Sequence, residues 1–357
     1  FKLYKKKFKN YLSLWKWSIK FPEKFWLSII YFFKIEYKVK NNPLVLKKNK
    51  FFYKNEFFFN YEINYFHSIE KNKSNDLAIH FIGENNFEER LSYKQLNIRV
   101  NSLSAYYRSL NIKKGDVVVG YLPNVTDTVI AFLASAKIGA IWSSCSSDFG
   151  EKALIDRFSQ LKPKLLITSD YYFYNGKKFS YSKNISKIKK KIGNPKILKT
   201  SYPSANNQSE LHRIYKKRIF QKEIKTEFVD FNHPLYVLFS SGTTGLPKCI
   251  THGHGGSLLQ HLKELSLHTN VKSKDKMLFL TTCGWMMWNW TVSNLLLGSS
   301  ITLYDGSPFY PTTNQVIQLT KKSKSNILGA GAKIFETIQN SQSANKKNLL
   351  SNIKCFI

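Results

Sequence analysis

Nine consecutive residues concentrate the chemistry of this chain: Ser240-Ser241-Gly242-Thr243-Thr244-Gly245-Leu246-Pro247-Lys248. Four hydroxyl side chains and two glycines in so short a stretch suit a polyphosphate. Glycine lacks the Cβ that keeps a backbone N–H away from an anion, and hydroxyls donate further hydrogen bonds. Lys248 adds a point charge on a flexible stem. The spacing is not that of a Walker A loop, which needs Gly before its Lys and Ser or Thr after it; Pro247 and Cys249 stand there instead. The competing reading is a Ser/Gly/Thr-rich surface turn. The preceding apolar run, Leu235 to Phe239, predicts a buried strand that would carry the loop at its carboxyl end.

A second group follows about forty residues later. Trp285, Trp288 and Trp290, with Met286 and Met287, come after an apolar segment, and Asn289 lies among them. Apolar walls with indole and amide N–H donors fit a small acyl pocket, and the same residues fit an ordinary core; both readings stay open. His252 and His254 stand two apart beside glycines with no third ligand nearby, which favours loop packing over a metal site. Cys145, Cys249, Cys283 and Cys355 form no C-x-x-C pair and no disulfide framework, as expected of a protein in a reducing cytoplasm.

The segments that must position these residues alternate in type. Val117–Tyr121, 140–142, Leu165–Thr168, 235–239, 277–281, 301–304 and 326–328 read as strands. Between them, 125–137, 151–161, 258–267 and 314–322 read as helices. Such alternation predicts an α/β architecture with largely parallel sheets, whose ligands gather beyond the carboxyl ends of the strands. After Lys187 the pattern blurs: residues 189–225 are polar and basic, with 204–209 expected to be a flexible loop. Near the start, Phe25, Trp26, Ile29, Ile30 and Phe33 fall at helical spacing after Pro22. That stripe either packs on the body of the protein or lies on a membrane surface.

Composition bounds the rest. The 357 residues, 43% hydrophobic, hold two average domains or one large one. The formal charge is +32, yet only six of the 55 basic residues are Arg, and the lysines are spread over the whole chain. That pattern argues against a specific nucleic-acid site. The longest mostly apolar run in the first fifty residues, Phe25 to Phe33, is too short to span a bilayer, and neither a transit peptide nor a secretory signal is visible.

Further stretches carry a family likeness: Gly139-Ala140-Ile141-Trp142-Ser143-Ser144-Cys145-Ser146-Ser147-Asp148-Phe149-Gly150, Thr251-His252-Gly253-His254-Gly255-Gly256, Tyr304-Asp305-Gly306-Ser307-Pro308, and Leu14-Trp15-Lys16-Trp17-Ser18 with Phe25-Trp26. With the 240–248 loop they resemble the adenylate-forming enzymes (acyl-CoA synthetases, luciferases and peptide-synthetase adenylation domains). Within these, the resemblance is to the short-chain acyl-CoA synthetases that activate acetoacetate, and it runs from about Leu14 to the last residue. It implies an α/β fold, the large N-terminal domain of the adenylate-forming enzymes with parallel sheets flanked by helices, incomplete at its C-terminus. Residues 1–75 would be a leader segment and 76–357 a truncated AMP-binding domain.

The implied reaction joins acetoacetate to coenzyme A at the expense of ATP, through an acyl-adenylate, releasing pyrophosphate and AMP. A ligase for acetate, propionate or another short acid is the alternative. A non-catalytic polybasic binding protein on a degraded adenylation fold is the reading from a different class. In the resemblance Gly242, Thr243, Thr244 and Gly245 hold the β- and γ-phosphates, Ser240 and Ser241 shape the turn, Lys248 supplies catalytic charge and Mg2+ bridges the phosphates. Trp285, Met286, Trp288 and Asn289 would line the acyl pocket. The stretch 170–178 resembles one that contacts coenzyme A phosphates, with Lys177 the best-placed cation. The family's later signatures (a Tyr-Gly-x-Thr-Glu-like loop, a ribose-binding acid, a hinge and the catalytic Lys of a mobile C-terminal domain) are not among these residues. The chain is therefore expected to be a fragment without that domain, inactive alone.

Overall fold

In the computed structural model, residues 4, 6–181, 185–204, 209–240, 245–340 and 351–357 are described. Short runs rich in Val, Ile and Leu form the central strands, as strands covered on both faces require. One six-stranded sheet runs, in spatial order, Lys196–Lys199, Leu165–Thr168, Val117–Tyr121, Ile141–Cys145, Pro234–Ser240 and Lys248–Gly253. Its first five strands are parallel, and the sixth pairs antiparallel with Pro234–Ser240. A second six-stranded sheet runs Cys355–Phe356, Ile327–Gly329, Lys276–Phe279, Ser300–Asp305, Leu77–Gly83 and Glu88–Ser92, antiparallel only at the last pair. Lys38–Lys47, Glu56–Ile63 and Val229–Asp230 make a small antiparallel sheet, and Tyr171–Tyr174 with Lys177–Ser180 a separate hairpin.

One core joins the two large sheets. Val118, Trp142 and Leu235 of the first and Ile79, Phe81, Ile301 and Leu303 of the second belong to the same buried cluster. The helix Thr126–Lys137 runs through it and is buried at all twelve positions. Beside it, the helix Tyr93–Ser109 buries Tyr93, Leu96, Val100, Leu103 and Tyr107 on one stripe. Its start is set by Ser92 and Gln95, whose side chains cap each other's backbone N–H. The α/β architecture with largely parallel sheets matches the sequence expectation.

Two segments differ from it. Residues 189–225 carry the end of the helix Ile185–Lys191, the strand Lys196–Lys199 and the helix Glu210–Lys216, because Leu198, Leu211, Ile214 and Tyr215 are buried among otherwise polar neighbours. Within the expected loop at 204–209, residues 205–208 lie outside the described residues. The expected helix 258–267 starts earlier, at His254, runs to Lys263 and passes into a π-helical turn at Glu264–His268. The stripe after Pro22 does form the helix Pro22–Phe32, and it packs on the body: Ile29 and Ile30 are core, with Phe25, Trp26 and Phe33 against them.

Candidate active site

The carboxyl ends of the two large sheets meet, and Asn124 joins them. It follows the strand Val117–Tyr121, and its backbone N–H donates to Asp305 Oδ1 at 2.9 Å. Its amide donates to the Thr281 and Tyr304 carbonyls, each at 3.2 Å, and its Oδ1 accepts the Trp288 indole N–H at 2.9 Å. Beside it Ser144 Oγ donates to the Cys283 carbonyl at 2.6 Å, and the Cys283 thiol to the Leu122 carbonyl at 3.2 Å. Apart from the Trp288 bond, which reaches into the helix Met286–Val292, these bonds cross between the strand ends of the two sheets, where open α/β folds place their ligands.

Asp305 is the buried charge of this junction. Burial pushes its carboxyl up to about 7, against the Asn124 hydrogen bond that favours the ionised form. Its Oδ2 has no partner among the described residues. Glu84, at the end of Leu77–Gly83, accepts backbone N–H groups from Ser307 at 2.6 Å, Gly176 at 2.6 Å and Asn175 at 3.1 Å. The tip of the 171–180 hairpin is thereby tied to the second sheet. Asn175 and Gly176 both take positive φ there (54° and 75°), a conformation that Asn and Gly tolerate best. Neither Asn124 nor Glu84 is among the residues singled out from the sequence; for Glu84 the available signal is a polar residue directly after an apolar strand, and for Asn124 an Asn separated from one by Leu122-Pro123.

The 240–248 loop sits at this same end. Ser240 is the last residue of its strand and Lys248 the first of the next, and the two are registered partners in an antiparallel pair. Gly245 lies between them at φ 121°, with open space where a Cβ would be. Lys248 is exposed and pairs with no carboxylate among the described residues. The Pro247 carbonyl accepts the Gln160 amide at 3.0 Å, which pins the returning limb. Ser241, Gly242, Thr243 and Thr244 lie outside the described residues.

The aromatic segment divides. Trp285 precedes the helix Met286–Val292; it is 61% exposed and Met286 45%. A Cβ added at Gly284, before them, would lie 3.4 Å from Ser146 and Phe149 of the neighbouring sheet's loop. Trp288 and Asn289 are buried, and the Trp288 N–H is already bonded to Asn124. Trp288 therefore braces the junction from inside, whereas Trp285 and Met286 face outward. Lys177 is exposed and opposes Tyr174 across the hairpin tip. His254 is fully buried, with Nδ1 accepting the Tyr65 N–H at 3.2 Å, and burial lowers it to about 3, so it stays neutral. Among the described residues no group of three or more His, Cys, Asp or Glu could hold a metal ion, and no helix is long and apolar enough to cross a membrane.

A profile of the AMP-binding enzyme family matches residues 66–357. The chain belongs to that family. Among AMP-binding enzymes it is 37% identical over 344 residues to the acetoacetyl-CoA synthetase of Mus musculus, covering 92% of this chain and 51% of that protein. The acetoacetyl-coenzyme A synthetase of Rhizobium meliloti (strain 1021) is 37% identical over 292 residues, 79% of this chain and 44% of the relative. The structure of acetoacetyl-CoA synthetase from Streptomyces lividans superposes with a TM-score of 0.89 at 30% identity, over 98% of this chain and 55% of that one. The chain thus spans about half the length of the relatives it matches.

Proposed function

We propose that this chain forms the ATP- and acyl-binding half of an acetoacetate–CoA ligase, with residues 1–75 as its leader segment. The observation that carries the reading is the placement of the Ser240–Lys248 hairpin loop at the carboxyl end of a central strand, in a chain 37% identical to acetoacetyl-CoA synthetases over 92% of its length. In the proposed reaction a carboxylate oxygen of acetoacetate attacks the α-phosphorus of ATP and pyrophosphate leaves. The coenzyme A thiolate then attacks the acyl carbon and AMP leaves. Neither step needs a protein nucleophile; both need alignment and charge neutralisation. Among the described residues nothing crowds Gly245 and no carboxylate pairs with Lys248, which leaves backbone room and an ammonium for a phosphate. Ser241 to Thr244 would add hydroxyl and N–H donors, and Ser240 would set the turn. Mg2+ would accompany the ATP phosphates as their counter-ion, and no residue here is assigned to hold it. Trp285 and Met286 would flank the acyl group, Trp288 and Asn289 would back them from the core, and Lys177 would meet a coenzyme A phosphate. The four free cysteines support a reducing compartment, the cytoplasm.

The substrate is tested against an isostere. Acetoacetate and butyrate have the same chain length and differ at the C3 ketone. A site that hydrogen-bonds a substrate oxygen rejects an analogue lacking it more strongly than a hydrophobic slot rejects a methylene. Protein carrying the full length of the family fold is expected to prefer acetoacetate by at least about tenfold in kcat/KM, roughly 1.4 kcal/mol. Equal use of the two acids refutes the substrate and leaves the family standing.

The phosphate loop has its own test. Lys248→Ala is expected to cost roughly 2–3 kcal/mol of transition-state stabilisation in ATP-dependent pyrophosphate release. Because Lys248 is exposed, thermal stability should change by no more than about 0.5 kcal/mol. Unchanged pyrophosphate release refutes the assignment of Lys248.

A further inference from the structure

The 171–180 hairpin covers a recess of about 900 Å3, bounded also by the helix Ile185–Lys191 and the edge strand Lys196–Lys199. Each wall contributes ammonium groups: Lys178 from the hairpin, Lys189 and Lys190 from the helix, Lys199 from the strand. On the helix, Ile185 with Lys189 and Ser186 with Lys190 stand four residues apart and so share a face. On the strand, Ile197 and Lys199 alternate onto the same side. Among the described residues none of the four lysines has a carboxylate within ion-pair distance. Lys187, which does pair, with Glu151 at 3.0 Å, is not in the lining. Among the described lining residues Asp170 is the one acid, and its Oδ1 already accepts the Tyr171 and Tyr202 N–H groups at 2.8 and 2.9 Å. Lys178 Nζ sits 3.7 Å from the Tyr171 ring centroid, a contact that orders the ammonium without neutralising it.

Like charges gathered around a concave site repel one another and focus a positive potential into it. An anion that enters relieves the repulsion. Four lysines and one aspartate leave a formal excess of three positive charges, which a diphosphate, at about −3 near neutral pH, balances. We propose that this recess binds a diphosphate group, free or as part of a nucleoside diphosphate, at a site separate from the 240–248 loop and from the Lys177 surface. Separation from the loop follows from the lining, which includes none of the described loop residues, Ser240 and 245–248. Separation from Lys177 follows from strand geometry. Successive residues of a strand point to opposite faces, so Lys177 and its partner Tyr174 face away from Lys178 and its partner Phe173.

The test is calorimetric titration of the chain with inorganic pyrophosphate at about 0.15 M ionic strength, in the Lys248→Ala background so that the proposed ATP loop is disabled. Saturable one-site binding is expected. It should weaken at least about tenfold in Lys189→Gln/Lys190→Gln, and again in Lys199→Gln, which changes a different wall. An equal-charge control, Lys272→Gln/Lys274→Gln, should leave it within about twofold. ADP assigns the source: tighter binding than pyrophosphate indicates a nucleoside diphosphate, and equal binding the bare diphosphate. The proposal is overturned if the background chain shows no saturable binding, if the recess variants bind as the background does, or if the control loses as much as they do. Far-UV circular dichroism and melting of each variant exclude loss of fold.

Discussion

Trp288→Ala is expected to destabilise the fold by about 3–5 kcal/mol, the range for removing a large aromatic from a core. Trp288 is completely buried, with its ring packed near Phe132 at a centroid distance of 6.0 Å. Its loss also strands Asn124 Oδ1, and an unpaired buried acceptor adds about 1–3 kcal/mol if no water takes its place. Asn124 ties both sheets together, so the damage should reach the junction itself. Trp285→Ala provides the contrast: an exposed residue at a helix start should cost under about 1 kcal/mol in stability. In protein with the full family fold it should instead raise KM for the acid. Denaturant titration of the two variants separates them, and similar stabilities would refute the division of the aromatic segment into brace and mouth.

Glu70→Gln is expected to cost about 3–5 kcal/mol, because it breaks a buried ion pair and leaves the other charge uncompensated. Lys137 ends the fully buried helix, is 1% exposed, and is neutralised by Glu70 with Thr226 Oγ1 at 3.1 Å and the Phe66 ring at 5.4 Å. Glu70 also accepts the Thr226 hydroxyl at 2.6 Å. Burial raises the Glu70 carboxyl, but the His67 imidazole at 3.6 Å and hydrogen bonds from Lys137 and Thr226 outweigh it and hold the group at about 2. A depressed carboxyl stabilises the fold above its unfolded value near 4.5, and that contribution disappears as pH falls through about 2. The acid limb of wild-type stability should therefore be steeper than that of Glu70→Gln between these values. Parallel limbs would show that Glu70 is not the group being titrated.

Much was legible in the chain itself because it is written locally. Hydrophobic period and glycine placement marked Val117–Tyr121, Leu165–Thr168 and the helix ending at Lys137 to within a residue or so, and strand–helix alternation then implied parallel sheets. The Tyr93–Ser109 helix carries equally local signals, Ser92 with Gln95 and an apolar stripe, yet it was not drawn out. The strand Lys248–Gly253 has no such signature. Its residues are mostly exposed, and it is a strand only because Pro234–Ser240 offers its edge. The same holds for Lys196–Lys199, which acquires its conformation from Leu165–Thr168.

For the candidate site, residue types sufficed to single out the 240–248 loop and the 285–290 aromatics, since phosphate binding and acyl packing require particular side chains close together in sequence. Which aromatics face a ligand was decided by tertiary structure alone. Trp285 and Trp288 differ by less than one helical turn, but only Trp288 points at Asn124, a residue 164 positions earlier. The joining of the two sheets through Asn124 and Asp305, and of the hairpin to the second sheet through Glu84, is likewise invisible along the chain. Hydrogen bonds between residues so far apart leave no periodic trace in the sequence, because their geometry exists only once both sheets have formed and closed on a common core.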